Sequence, residues 1–419
     1  MIRLLIIADD FTGGLDTGVQ FASRGIPACV VTDPEADFAA EAGSCEVLVV
    51  VAETRHLPAH EAYDIVFRTS RKGVELGVPH IYKKTDSALR GNIGAELTAV
   101  MDSAGASLLP FVPALPAMNR ITRNGIQYID GVPVAESVFG QDPFEPVRES
   151  DVSRLVALQS STPAFPADPE VLQGVSGIAV LDASSEEDLA RIADSLKNVR
   201  NLRVSAGCAG FAAVLPGLLG LSVQESPELP QLDPGLFVLC GSVNPITQRQ
   251  LDHGEANGYS RYHITPEIKL HPEIFGTEKG EATLAGWKKR IASDPWMILD
   301  ANDTDPRNIA TAEKAASEGL SIEDVRQRIS ESLGIILSAL MDSLLERTLL
   351  ITGGDTLLKS MNRMKIFRMF PITEVSPGSV LSRVTYNGKS WYVITKSGGF
   401  GKETLLSDLK NLILNRKTN

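Results

Sequence analysis

Cysteine is scarce in this chain of 419 residues: there are four, Cys29, Cys45, Cys208 and Cys240. None forms a C-x-x-C pair or stands at a zinc-binding spacing. A disulfide scaffold is thereby excluded, and reduced core thiols are expected. Positive charge is also in short supply. Forty Lys and Arg stand against 52 Asp and Glu, a formal net charge of −12, which disfavours a basic nucleic-acid-binding domain. An anionic ligand must then be held by a few placed cations and backbone N–H groups, because the global field repels it. Long hydrophobic runs are missing too. MIRLLIIADD reaches two aspartates after a short apolar run, too short for a signal-peptide core. The most apolar later stretch, 333–351, carries Asp342, Glu346 and Arg347 and does not read as a membrane span. The expectation is a soluble cytoplasmic protein with no nucleic-acid or membrane partner, for which a homo-oligomer is an open option. No internal repeat and no low-complexity segment stands out.

What is present is an ordinary globular composition, 43% hydrophobic and 22% charged, on a chain long enough for two or three domains. Aliphatic runs at 2–8 and 47–51 and a short one at 81–82 read as buried strands. Helical stretches at 16–24, 58–76 and 93–101 alternate with them. The pattern repeats after residue 222, with strands at 236–239, 297–299, 349–352 and 391–395. Ser321, with Asp324 three residues on, starts a long amphipathic helix, and a last helix is read at 403–414. In 124–134, NGIQYIDGVPV, two short alternating runs flank Asp130-Gly131, as in a tight hairpin. The fold class expected is α/β: two doubly wound α/β domains with a cleft between them. SVQESPELPQLDPG, rich in proline and acid, is the linker at 222–235. It separates domain 1–221 from domain 236–419.

Candidate chemistry gathers where strands end, which is where open α/β sheets bind ligands. ADDFTGG places Asp9 and Asp10 after the first strand. Paired acids there can accept hydroxyls, hold Mg²⁺ or act as a base; the alternative is that Asp10 or Thr12 only caps the next helix. KKTDSALRGN brings Lys83, Lys84, Thr85, Asp86, Ser87 and Arg90 together at another strand end. Such a local cationic cluster suits an anion; the alternative is a solvated turn. Arg55 follows the second strand and either clamps a carboxylate or pairs with Glu53 or a neighbour. In the second half, Gly353, Gly354, Asp355 and Thr356 lie between a strand and a helix, where free N–H groups and the dipole suit phosphates. The P-loop pattern is absent. Gly398, Gly399 and Gly401 follow another strand and permit close backbone approach. Gly241-Ser242, with Asn244, Thr247 and Gln248, forms a third such turn. Acids and cations fall in the first half and glycine-rich turns in the second, a division that suggests one ligand per domain.

Taken together, ADDFTGGLDTGVQ, KKTDSALRGNIGAEL, CGSVNPITQRQ, TGGDT and ITKSGGFG resemble the four-carbon acid sugar kinases, in that family's order and over essentially the whole chain. The resemblance implies ATP-dependent phosphorylation of the terminal 4-hydroxyl of a four-carbon sugar acid, with Mg²⁺ as the usual companion of ATP. It implies a sugar-acid-binding N-terminal domain and an ATP-binding C-terminal domain. Asp9, Asp10, Arg55, Lys83, Lys84, Thr85, Asp86, Ser87 and Arg90 would then meet the sugar acid. Ser242, Gly353, Gly354, Asp355, Thr356, Gly398, Gly399 and Gly401 would meet ATP. DTGVQ is most similar to the D-threonate-directed members, implying conversion of D-threonate to 4-phospho-D-threonate; erythronate, L-threonate and 2-oxo-tetronate are the alternatives. Domain closure would exclude water during transfer. A carboxylate would accept the hydroxyl proton, and Asp355 and Asp10 are both candidates.

Two rival classes remain. An aspartyl-phosphate phosphatase would need D-x-D-x-T, which Asp9-Asp10-Phe11-Thr12 does not supply. A non-catalytic sugar-acid or nucleotide binder on the same fold would show no substrate-dependent ADP release.

Overall fold

The computed structural model describes every residue except 143–144, 306, 345–346 and 416–419. The chain divides into two compact units, Met1–Pro227 and Glu228–Asn419. Residues 222–235 form neither helix nor strand, and the division falls among them. The four cysteines are buried and form no disulfide among the described residues. No described helix is long and apolar enough to cross a membrane.

The first unit is built on strands β1 (Leu4–Ala8), β2 (Ala28–Val31), β3 (Val47–Val51), β4 (His80–Lys84) and β5 (Leu108–Val112), followed by β6 (Arg120–Arg123), β7 (Ile126–Ile129), β8 (Val132–Pro133), β9 (Ala164–Ala167), β10 (Gly177–Leu181) and β11 (Val204–Gly207). Its main sheet runs β2-β3-β1-β4-β11-β5-β10-β9 and every pairing is parallel. Each residue of β1, β3 and β10 is buried. A parallel sheet covered on both faces demands such unbroken aliphatic runs. The three short strands β6-β7-β8 form a separate antiparallel sheet, with Asp130-Gly131 turning between β7 and β8.

The helix after β1 spans Phe11–Ala22, starting five residues before the expected position. The reason is local. Asp10 is extended, and its side chain accepts the N–H of Gly13, so the glycines lie inside the first turn rather than in a loop. The helix Glu186–Leu196 has a capping box from Ser185 and Asp188.

The second unit contains β12 (Leu236–Cys240), β13 (Ser260–His263), β14 (Trp296–Asp300), β15 (Thr348–Thr352), β16 (Arg368–Ser376), β17 (Ser379–Tyr386) and β18 (Lys389–Lys396). Its order is β13-β14-β12-β15-β18-β17-β16, parallel as far as β18 and antiparallel beyond it. The sequence reading names no strand at β16 or β17. Partial burial along β16 hides the alternation by which a strand is recognised. The helix Ile322–Leu340 begins with the expected Ser321–Asp324 capping box.

Both units share one topological feature. In the first, the chain builds β2 and β3 on one side of β1 and then crosses to place β4 on the other. In the second, β13 and β14 lie to one side of β12, and β15 is added on the other. Such a reversal leaves a crevice outside the carboxyl ends of the strands that flank it.

Close packing holds the helix that follows β4. Helix Ile93–Ala104 rests against Val152–Ala157 through Gly94, where an added Cβ would lie 2.4 Å from the Val156 carbonyl oxygen. Gly94→Ala improves helix propensity by about 1 kcal/mol, but here it must push one backbone off another. We expect a net loss of roughly 1–3 kcal/mol in urea unfolding; a stabilised variant would show that the two helices are not in rigid contact.

Candidate functional site

In the first unit, Ala8 pairs with Val51 on one side and Lys84 on the other, which brings the ends of β3, β1 and β4 level. Asp9, Arg55 and Asp86 follow these ends. Arg55 Nε donates to Asp9 Oδ2 at 2.8 Å, and its Nη2 lies 2.8 Å from Asp9 Oδ2, 2.8 Å from Asp10 Oδ1 and 4.0 Å from Asp86 Oδ1. The cation therefore reaches the acids of both neighbouring turns rather than Glu53. Arg90 Nε and Nη2 hold Asp86 in a two-point bond at 2.8 and 3.2 Å. Burial opposes the charge on Asp86, yet Arg90 and Arg55 outweigh it and hold its carboxyl well below the usual carboxylate range. Asp10 is lowered in the same way: burial raises it, while Arg55, Lys84 and the Thr12 hydroxyl bring it down. Glu145 goes the other way, because burial outweighs the pull of Arg55 and Arg90.

For Asp10 the structure shows the helix-capping alternative. It caps its helix through Gly13, accepts from Thr12 Oγ1 at 2.8 Å and pairs with Arg55. Asp9 differs. It is 2% exposed, and its Oδ1 makes no hydrogen bond among the described residues. Lys84 Nζ lies 3.8 Å from that oxygen and makes no hydrogen bond among the described residues.

KKTDS is not a solvated turn. Lys83 and Lys84 are the last residues of β4 and both are buried. Successive strand residues face opposite sides, so the two ammonium groups part. Lys84 goes to the acids, while Lys83 Nζ lies 2.9 Å from Glu96 Oε2 and donates to the Lys84 carbonyl at 2.7 Å. Neither Glu96 oxygen is in hydrogen-bond alignment. Burial raises the Glu96 pKa, and Lys83 offsets only part of that. The Thr85 hydroxyl is buried without a partner among the described residues, and Ser87 Oγ accepts from Arg120 Nη1 at 2.6 Å. The guanidinium groups of Arg90 and Arg120 lie 5.2 and 5.1 Å from the centre of the Phe139 ring.

In the second unit, Cys240 pairs with Thr352, and Thr352 with Lys396, so the glycine-bearing turns leave three adjacent parallel strands at one level. Gly353 has φ +105°, and helix Gly354–Arg363 starts directly after it. Thr356, in that helix's first turn, is buried against Gly241, where an added Cβ would lie 1.9 Å from the Thr356 hydroxyl. Asp355 stays partly exposed and takes Arg326 Nη1 at 2.7 Å; Arg326 is also held by Glu323. Ser242, Thr247 and Gly398 adjoin: Ser242 Oγ lies 3.4 Å from Thr247 Oγ1, which donates to the Gly398 carbonyl at 2.9 Å. Gln250 Nε2 holds the carbonyls of Phe400 and Lys402 on either side of Gly401. The N–H groups of Ser242, Val243, Gly398 and Gly399 make no hydrogen bond among the described residues.

Several participants escape the sequence reading. Arg120 lies in no motif. Glu96 is a helix residue whose partner lies in a strand. Arg326 sits within an amphipathic helix. Lys396 ends β18 beside the glycines of ITKSGGFG, and Asp300 and Asn302 belong to DANDTD, so strand-end placement was the available signal for these three. Among the described residues there is no group of three or more His, Cys, Asp or Glu side chains that could hold a metal ion.

Comparison with known proteins agrees with this division. A sugar-binding N-terminal domain model matches residues 4–215, and a nucleotide-binding C-terminal domain model matches 237–406. A D-threonate kinase of Salmonella typhimurium is 31% identical, with 97% of each chain covered. A D-erythronate kinase of Heliobacterium modesticaldum is 28% identical over 80% of this chain and 79% of its own. A 3-oxo-tetronate kinase of Methylobacterium radiotolerans is 25% identical over 96% of both. A solved structure from Salmonella typhimurium LT2 covers 98% of this chain and 100% of its own with a TM-score of 0.81; at 21% identity this likeness concerns the fold alone. Matched in both halves and aligned from end to end with kinases of tetronates, the chain belongs to the four-carbon acid sugar kinase family and is a sugar-acid kinase.

Proposed function

We propose that this kinase transfers the γ-phosphoryl group of ATP to the 4-hydroxyl of D-threonate, giving 4-phospho-D-threonate and ADP. The observation that carries the reading is Asp9 Oδ1 in the first unit, buried without a hydrogen bond among the described residues, with the Lys84 ammonium 3.8 Å away. Buried polar atoms without partners call for one. A polyhydroxy acid supplies both kinds: hydroxyl donors for Asp9 and acceptor oxygens for Lys84. Arg55 uses Nε and Nη2 on the acids, which leaves Nη1 for the substrate carboxylate. The preference for D-threonate rests on the DTGVQ segment and on the Salmonella relative.

ATP would lie in the second unit, its phosphates on the N–H groups after Gly353 and in the turns at Ser242 and Gly398. Asp355 suits the proton-accepting role better than Asp10. Both Asp10 oxygens are occupied, one by Gly13 and Arg55 and the other by Thr12, whereas Asp355 is half exposed with one partner. Mg²⁺ needs few protein ligands when phosphates and waters complete its shell. The absence of a cluster of three or more acidic, His or Cys side chains among the described residues therefore fits a metal carried mainly by ATP, which leaves the open oxygen of Asp355 for the proton.

An ADP-release assay with Mg²⁺ across threonates, erythronates and oxo-tetronates tests the reading. D-threonate should give the highest kcat/KM; turnover of another tetronate alone would move the substrate assignment. Arg55→Ala should raise the KM for the acid and lower kcat/KM at least about a hundredfold, as for loss of a charged clamp. Asp355→Asn should lower kcat by roughly 10²–10⁴ with little change in the KM for the acid; an unaltered kcat would remove Asp355 from the reaction.

Lys83 has a different place in this scheme: it supports the floor of the site through Glu96. Lys83→Met or Glu96→Leu alone should cost about 3–5 kcal/mol in urea unfolding, because each leaves a buried charged group without its partner. The pair Lys83→Met with Glu96→Leu should regain most of that loss. A double variant as unstable as the sum of the singles would show the two groups acting independently.

A further inference from the structure

Lys396 is the last residue of β18 and is 2% exposed. Its ammonium donates to Thr247 Oγ1 at 2.9 Å and to the carbonyls of Ser397 and Gly398 at 3.0 Å each. All three N–H bonds are thereby used, and every acceptor is neutral. No carboxylate of the described residues comes within ion-pair distance of it. A buried ammonium left without a counter-charge is costly unless an anion arrives.

The hydrogen bonds also set the direction of the turn. A peptide whose carbonyl is drawn inward presents its N–H groups the other way. With the carbonyls of Ser397 and Gly398 tied to Lys396, the N–H groups of Gly398 and Gly399 are left without partners in the chain. The neighbouring turn follows the same rule: the Ser242 carbonyl takes Gln248 Nε2 at 3.0 Å and Asn302 Nδ2 at 3.1 Å.

We infer that Lys396 is a positioning residue for the nucleotide: from beneath the turn at 397–401 it holds the peptides so that their N–H groups face the phosphates, and it supplies the charge that those phosphates balance. This rests on the nucleotide reading of the second unit and adds to it a residue that does not itself touch the ligand, since its three donors are already engaged.

The lysine can be switched by pH. Burial brings its pKa down to about 8; a thiolate at Cys240 on β12 would act in the other direction. Cys240 is itself held protonated, first by burial and then by Asp300 on β14, whose charge is met by Arg261 on β13. The other groups on Lys396 are the hydroxyl of Thr247 and backbone carbonyls, which do not titrate in this range. Above pH 8 the ammonium loses a donor and its charge, and the turn loses a tether.

Titration calorimetry of the full chain with Mg·ADP, and steady-state KM values, test the inference. Wild type should bind Mg·ADP several-fold more weakly at pH 9 than at pH 7. Lys396→Arg keeps a permanent charge and should show a flat profile over that range. Lys396→Met should weaken Mg·ADP binding and raise the KM for ATP roughly tenfold or more, with the KM for the sugar acid unchanged. Unchanged Mg·ADP affinity in Lys396→Met, or equal rises in both KM values, would overturn the inference. Should Lys396→Met fail to fold, the wild-type and Lys396→Arg profiles decide alone, and parallel profiles would sink it. No Mg·ADP binding by wild type would instead remove the nucleotide reading, and this inference with it.

Discussion

The reversal of strand order beside β1 and again beside β12 is the constraint from which both sites follow. A parallel sheet covered on both faces leaves its strands no contact with water, so charge and backbone polarity collect where the strands end. At most edges the next crossover covers those ends. Where the chain leaves one side of a strand and resumes on the other, the two crossovers diverge and the ends stay accessible. Asp9, Arg55 and Asp86 are near neighbours in space because β3, β1 and β4 end level. Ser242, Gly353 and Ser397 are neighbours because β12, β15 and β18 do.

The two crevices then solve the problem of an anionic ligand in an acidic protein differently. The first concentrates ions. Arg55, Lys84 and Arg90 are interleaved with Asp9, Asp10 and Asp86, and each charge restrains another. The arrangement tolerates burial because almost every oxygen has a cation or an N–H beside it, and it stays rigid for the same reason. The second uses few charges. Its donors are backbone N–H groups, oriented by side chains that hold the opposite ends of the peptides: Lys396, Gln248, Asn302 and Gln250.

Much of this was legible in the residues. The aliphatic runs of β1, β3, β12 and β15 mark buried strands, and acids or glycines directly after them mark strand-end sites. The Ser321–Asp324 capping box could be read outright, because a cap is a local device of four residues. What could not be read depends on pairing across the fold. Nothing near Lys83 in sequence shows that it turns away from Lys84 toward Glu96; that follows from the strand continuing two residues beyond Tyr82 and from the placement of a helix. Arg120 arrives from a small separate sheet, and Arg326 from the opposite end of a long helix from its packing residues. Strand β16 carries no clear period-two signal because it is only partly buried, and β17, buried along its first four residues, carries none because both its faces are covered there. The helix after β1 was placed late because two glycines resemble a turn until Asp10 is seen to cap them.

The contrast between the sites matches the chemistry of the two ligands. A tetronate carries one negative charge and several hydroxyls whose stereochemistry distinguishes it from its relatives. Discriminating hydroxyl positions requires fixed acceptors and donors at defined points, because an unmatched buried polar group is costly. On the proposed reading the interleaved ions of the first unit are such points, and Asp9 Oδ1, buried without a hydrogen bond among the described residues, is the one open to a substrate hydroxyl. A triphosphate spreads its charge over many equivalent oxygens and brings its own metal. It needs an array of donors more than any single strong one, and N–H groups supply that array without placing several cations together in a buried turn. One buried ammonium behind the array, neutral acceptors around it and no carboxylate beside it leave the second unit waiting for negative charge. The first unit, whose charges are already matched, waits for shape.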